Sequence, residues 1–134
     1  MHNKTILLIT IYTLAALTTF SRAQHIPQPA YLTASYYSVS SLHKDGQWKL
    51  TKGIMSNGKL FNENDYTCAT RFFPCGSILH IKNLSNGKSV IVKVTDKIGK
   101  RSAKTRIDLS RAAFARIANL RQGIVKVKVE VSND

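Results

Sequence analysis

Apolar and polar residues alternate strictly in two stretches of the chain. Val90, Val92 and Val94 are separated by Ile91 and Lys93, and Val125, Val127, Val129 and Val131 by Lys126, Lys128 and Glu130. A period of two sends successive side chains to opposite faces, so each stretch predicts a long strand with one buried face. Leu79 and Ile81 alternate about His80, which the pattern turns outward. Asn86-Gly87 between two apolar runs is a hairpin signal. Tyr31 to Ser38 (YLTASYYS) and Tyr66 to Phe73 also have strand composition. Between Ser38 and Gly58, polar and glycine positions dominate, with Trp48 and Leu50 the clear candidates for packing and Ser56-Asn57-Gly58 a turn. Ser110 to Leu120 changes period: Ala113, Phe114, Ile117 and Leu120 fall at helical spacing, with Asp108 or Ser110 available as N-cap and Gly123 just past the end. Several short strands with one helix and no βαβ rhythm predict an all-β fold, a small closed or nearly closed barrel with the helix over one end.

The first residues have a different pattern. Lys4 precedes an apolar run from Ile6 to Phe20, followed by small residues at Ser21 and Ala23. This is the layout of a secretory signal cleaved after Ala23, and the run is short for a bilayer span, so no stable membrane anchor is expected. Residues 24–30, with Pro27 and Pro29, read as a linker, and residues 31–132 as one domain, expected to be a monomer. Twenty Lys and Arg against seven Asp and Glu give a formal charge of +13, and residues 24–134 keep all seven acids and 18 of the bases. Such an excess favours a polyanionic partner. Export and the lack of a spaced aromatic pattern argue against nucleic acid and leave an acidic cell-wall glycan as the expected partner, in the periplasm or outside the cell. Cys68 and Cys75 lie seven positions apart, and an oxidising compartment favours a structural disulfide. A metal site is disfavoured because His25, His43 and His80 stand at no ligand-like spacing to either cysteine.

Five segments in order, ASYYS at Ala34 to Ser38, SNGKLFN at Ser56 to Asn62, TCATRFFPCGS at Thr67 to Ser77, IKNLSNGKSVIVKVTD at Ile81 to Asp96 and RIDLSRAAFARI at Arg106 to Ile117, resemble the rare lipoprotein A (RlpA) family. The resemblance implies a six-stranded double-psi β-barrel with one or two short helices, the fold shared with expansins. It also implies endolytic lytic transglycosylation of peptidoglycan without a cofactor. The alternative is a non-catalytic, expansin-like module that binds wall polysaccharide.

Carried over position by position, the family's site changes here. The family usually has Glu at the position of Lys59, Asp at Asn62 and His at Thr70, whereas its remaining Asp is matched by Asp96. A glycosidase that uses water needs two carboxyl groups. A lytic transglycosylase needs one, because the substrate's own C6 hydroxyl attacks the anomeric carbon, so the resemblance leaves Asp96 as acid and base. Lys59, Asn62 and Thr70 are the implied substrate-binding positions. A cation beside an acid lowers its pKa by about 1 to 3 units, so Lys59 lining the groove would instead make an ion pair with Asp96. Tyr36 and Tyr37 take opposite faces of a strand, and Tyr37 is the residue expected to stack on a sugar ring. Asp108 reads as a helix cap.

Overall fold

A computed structural model describes residues 29–102 and 104–132. The expected signal segment, residues 1–23, and most of the expected linker lie outside the described residues. Six strands close into a barrel: β1 (Ala30–Tyr37), β2 (Thr67–Ala69), β3 (Ile78–Asn83), β4 (Ser89–Asp96), β5 (Arg106–Ser110) and β6 (Val125–Val131). Their order around the barrel is β1-β5-β2-β4-β3-β6, and β6 pairs with β1 to close it. The β3–β4 hairpin turns through Asn86-Gly87, Gly87 taking φ 74°, as the dipeptide predicts. β1 and β5 run parallel, as do β2 and β4, and of the barrel's pairings only the β3–β4 hairpin joins strands adjacent in sequence.

Alternation explains the interior. Leu32 and Ala34 of β1, Leu79 and Ile81 of β3, Val90, Val92 and Val94 of β4, Ile107 and Leu109 of β5, and Val125, Val127 and Val129 of β6 are all buried in one core. Helix α3 (Arg111–Ile117) lays Ala113, Phe114 and Ile117 onto this core. Ser110 is its N-cap, accepting from Ala113 N, and the helix ends at Ile117 because the amides of Asn83 and Asn86 both donate to the Ile117 carbonyl, at 2.8 and 2.9 Å. The same hairpin that joins β3 to β4 thus anchors the helix.

Four expectations are corrected. The strand expected over Tyr66 to Phe73 is only Thr67–Ala69, because the ladder breaks at a bulge after Cys68. Asp108, expected as a helix cap, lies within a strand, Arg106–Ser110, whose partner β1 is about seventy residues away, and Ser110 is the cap instead. The polar stretch after β1 forms two further short helices, α1 (Val39–Lys44) and α2 (Gln47–Thr51), α1 starting with a capping box at Ser38 and Ser41. Leu50 points outward, 85% exposed, while Trp48 stacks on His43 at 4.7 Å and lies over Gly53.

Candidate functional site

The site begins with one row of the ladder. Ser35 of β1 faces Asp108 of β5, Asp108 faces Ala69 of β2, and Ala69 faces Asp96 of β4. Side chains at equivalent ladder positions share a face, so two carboxyl groups stand on either side of the small Ala69, about two strand spacings or 10 Å apart at the backbone. All four residues line a cavity of about 550 Å³ whose other walls include Tyr37 from β1, Leu42 from α1, and Met55, Ser56 and Phe61 from the arm between α2 and β2.

Asp96 ends β4. Its Oδ1 accepts the Lys97 amide at 2.8 Å, the Ser56 amide at 3.0 Å and the Ser56 hydroxyl at 2.6 Å. Asp commonly closes a strand by taking the next backbone donors in this way. Ser56 reaches it because the arm folds into its own hairpin, with an Ile54–Leu60 bridge and Met55 N donating to the Lys59 carbonyl at 2.9 Å. Among the described residues, the hydrogen bonds to the Asp96 carboxylate all fall on Oδ1 and leave Oδ2 unbonded. Asp108 is held in a similar way: the Ser35 hydroxyl donates to its Oδ1, Arg106 Nη2 donates to Ser35 Oγ at 2.7 Å, and the same guanidinium nitrogen is 3.7 Å from the carboxylate. Each acid therefore has one tethered oxygen and one left for a ligand.

Tyr37 lies beneath these groups. Its ring stacks on Phe61 at a centroid distance of 4.4 Å, so that face is not available to a sugar, and its hydroxyl is buried close to the Thr67 side chain but without a hydrogen bond of good geometry to it. Burial, and then the Asp96 charge, push the phenol well above its ordinary range, with a smaller opposing pull from Thr67. The phenol is accordingly a neutral donor. Tyr36 packs against the core, its ring 5.0 Å from Phe114.

The remaining expected site residues are not gathered here. Lys59 is exposed, does not line the cavity and makes no ion pair with Asp96, because the arm's turn delivers Ser56 to the acid and leaves Lys59 outside. Asn62 is exposed and tied into its own turn, accepting Asn64 N at 3.0 Å. Thr70 is fully buried, its hydroxyl accepting Phe72 N at 3.1 Å. Cys68 and Cys75 are free thiols, so the expected bridge is not formed: Cys68 packs in the core, whereas Cys75 sits on the surface beyond Pro74. Burial, followed by the charges of Cys75 and Asp108, pushes the Cys68 thiol upward. Sequence reasoning missed Ser35, Asp108 and Arg106. The alternation of Arg-Ile-Asp-Leu-Ser was the signal that could have found the strand carrying two of them.

A family model described as lytic transglycolase matches residues 30–129. The chain is 38% identical over 76 residues to a probable endolytic peptidoglycan transglycosylase RlpA of Aquifex aeolicus (strain VF5), covering 57% of this chain and 33% of that protein. It is 38% identical over 107 residues to the endolytic peptidoglycan transglycosylase RlpA of Pasteurella multocida (strain Pm70), covering 76% of this chain and 36% of that protein. It thus spans about a third of the length of these relatives. Among solved structures, a Streptomyces papain inhibitor superposes with TM-score 0.61 at 23% identity over 80% of this chain and 96% of that one. A mutant Clavibacter michiganensis expansin in complex with cellohexaose superposes with TM-score 0.55 at 16% identity over 79% of this chain and 51% of that one. At these identities the two structures show a common fold.

Proposed function

The chain belongs to the lytic transglycolase family, the RlpA-like double-psi barrels, and on that premise we propose that it cleaves cell-wall glycan strands by lytic transglycosylation. One observation carries the reading: Asp96 and Asp108 stand on one face of the groove across Ala69, each with one oxygen tethered and one unbonded. Three donors on Asp96 Oδ1 exclude a proton there, so the acid's proton belongs on Oδ2, the oxygen without a protein partner. Asp96 gives this proton to the glycosidic oxygen as the C1–O bond breaks. The muramoyl C6 hydroxyl attacks C1, forms the 1,6-anhydro bond and returns its proton to Asp96, so no water is consumed. Asp108, fixed by Ser35 and Arg106, faces the positive charge that develops on the sugar ring. Residues 1–23 direct export and are removed after Ala23, residues 24–29 link to the barrel, whose first strand already includes Ala30, and the barrel acts as a monomer.

A second reading has its own support. Lys59 and Asn62 lie outside the cavity and Thr70 is buried, so none of the three replaced family positions contributes a group to it. The barrel would then hold wall polysaccharide without cutting it. Peptidoglycan stripped of stem peptides, incubated with the protein and analysed by mass spectrometry, separates the two. Anhydro-ended fragments that disappear with Asp96→Asn support cleavage. Retention on the polymer with no fragments refutes it in favour of binding.

A further inference from the structure

The acidic residues are concentrated on one side of the barrel, where Lys97 and Arg106 also line the groove. Asp45, Asp96 and Asp108 line the groove, and Glu63 and Asp65 follow in the turn after Phe61, Glu63 holding the α1 entrance through Val39 N at 2.8 Å. In the ring of six strands, β5 and β2, which flank the groove, stand opposite β3 and β6. Among the described acidic residues only Glu130 lies on that opposite side. There, Lys126 and Lys128 of β6 and Lys82 of β3 alternate with buried residues and so face outward, with Lys88 in the turn that leads to β4.

The register makes this face unusual. Lys82 is directly opposite Lys128, with Tyr31 on one side of the pair and Ser89 on the other. Like charges directly across a ladder are destabilising. Glu130 offsets one of them, 2.7 Å from Lys128, but among the described residues neither Lys82 nor Lys88 has an ion-pair partner. The row contains lysine and no arginine. An ammonium group meets an anion without a required plane, which suits phosphates on a chain that bends, whereas the arginine fork favours fixed bidentate geometry. Lysines two apart on a strand are about 7 Å apart, and neighbouring strands are about 5 Å apart. A patch of that size matches a single thin chain and is too small to seat a bilayer or a duplex.

We propose that the outer face of β3 and β6, centred on Lys82, Lys126 and Lys128, is a second binding surface for a flexible phosphodiester polymer. It goes beyond the groove's proposed activity and does not depend on it. A polymer held there would keep the barrel on an anionic wall while the groove, on the opposite side, stays open to glycan.

The test compares two equal losses of charge in the full chain. Lys82→Gln with Lys128→Gln removes the facing pair, and Lys44→Gln with Lys49→Gln removes two exposed lysines of α1 and α2. Binding to synthetic poly(glycerol phosphate) is measured across a salt series, with far-UV circular dichroism to confirm folding. The first pair is expected to weaken binding roughly tenfold and to make the salt dependence shallower by nearly two counterions, while the second changes affinity by less than about twofold. Equal losses in both pairs, or no loss in either, overturn the proposal. Lysine-dependent binding to anionic phospholipid vesicles or to duplex DNA, with none to the polymer, overturns it as well. Cleavage or binding of a soluble glycan fragment is measured alongside. Its failure in wild type refutes the groove reading alone, since polymer binding is read separately.

Discussion

Replacing Tyr37 with Phe should move stability and activity in opposite directions. The Tyr37 hydroxyl is buried without a hydrogen-bond partner, yet its ring is fully engaged on Phe61. A buried polar group left unpaired costs about 1 to 3 kcal/mol, and Phe removes that group while keeping the ring. The adjacent Thr67 hydroxyl is also without a partner and recovers part of this on small shifts, so about 1 kcal/mol of stabilisation is the working figure. For a domain of this size that is a rise of about 4 °C or more in Tm. Urea unfolding followed by tryptophan fluorescence measures it, with an unchanged slope showing that the unfolded state is unaffected. Glycan cleavage is expected to fall about tenfold, because the phenol is the neutral donor beneath Asp96 and a substrate hydroxyl is the acceptor it lacks. A fall in stability of about 1 kcal/mol or more would refute the argument, since it would mean that the hydroxyl is well bonded in the free protein. Stabilisation with full activity would leave the unpaired hydroxyl standing but remove its link to substrate.

Phe114→Ala empties the centre of the contact between α3 and the barrel and is expected to destabilise by about 3 to 5 kcal/mol, measured by chemical denaturation. Gly53→Ala meets two obstacles, a φ of +73° and the Trp48 ring, whose Cη2 would lie 2.5 Å from the new Cβ; we expect a loss of about 1 to 2 kcal/mol and a changed near-UV circular dichroism of Trp48. Alkaline stability tests the thiol. Cys68 is raised from 9.0 in the folded protein, so its contribution is fully present below about pH 9 and is lost as the pH rises towards the folded value; a midpoint in urea that declines from pH 8 to 10.5 is expected. Cys68→Ala should flatten that part of the decline, and so should oxidation that joins Cys68 to Cys75. A decline of equal size in all three forms would assign it to other groups.

Where the chain alternates strictly, its local pattern and its structure agree. Val90 to Val94 and Val125 to Val131 are strands with every alternating valine inside except Val131, which is exposed at the end of β6, and Asn86-Gly87 turns a hairpin. Ala113, Phe114 and Ile117 pack as the helical stripe they form in the sequence. These features depend on interactions within a few residues, or on the contrast between water and an apolar interior, and both are written in residue order. Polar connecting segments gave weaker signals: α1 and α2 carry no fully buried side chain, so no periodic stripe marked them.

The candidate site shows the other limit. Asp96 stood out because it ends an alternating run, whereas Asp108 looked like the cap of the helix that follows it. Alternation says which side chains share a face but not which strand lies alongside. Only the parallel pairing of β1 with β5, across about seventy residues, sets Ser35 against Asp108, and only the insertion of β2 between β5 and β4 sets both acids about Ala69. Lys59 went the other way, since the hairpin of its own arm turned it to solvent and presented Ser56 in its place. The sequence by itself determined a small barrel with a valine-rich interior, a capped helix and an acid at a strand end. Tertiary structure decided which groups meet in the groove, because that depends on strand order and register, which long-range closure selects and no local pattern records.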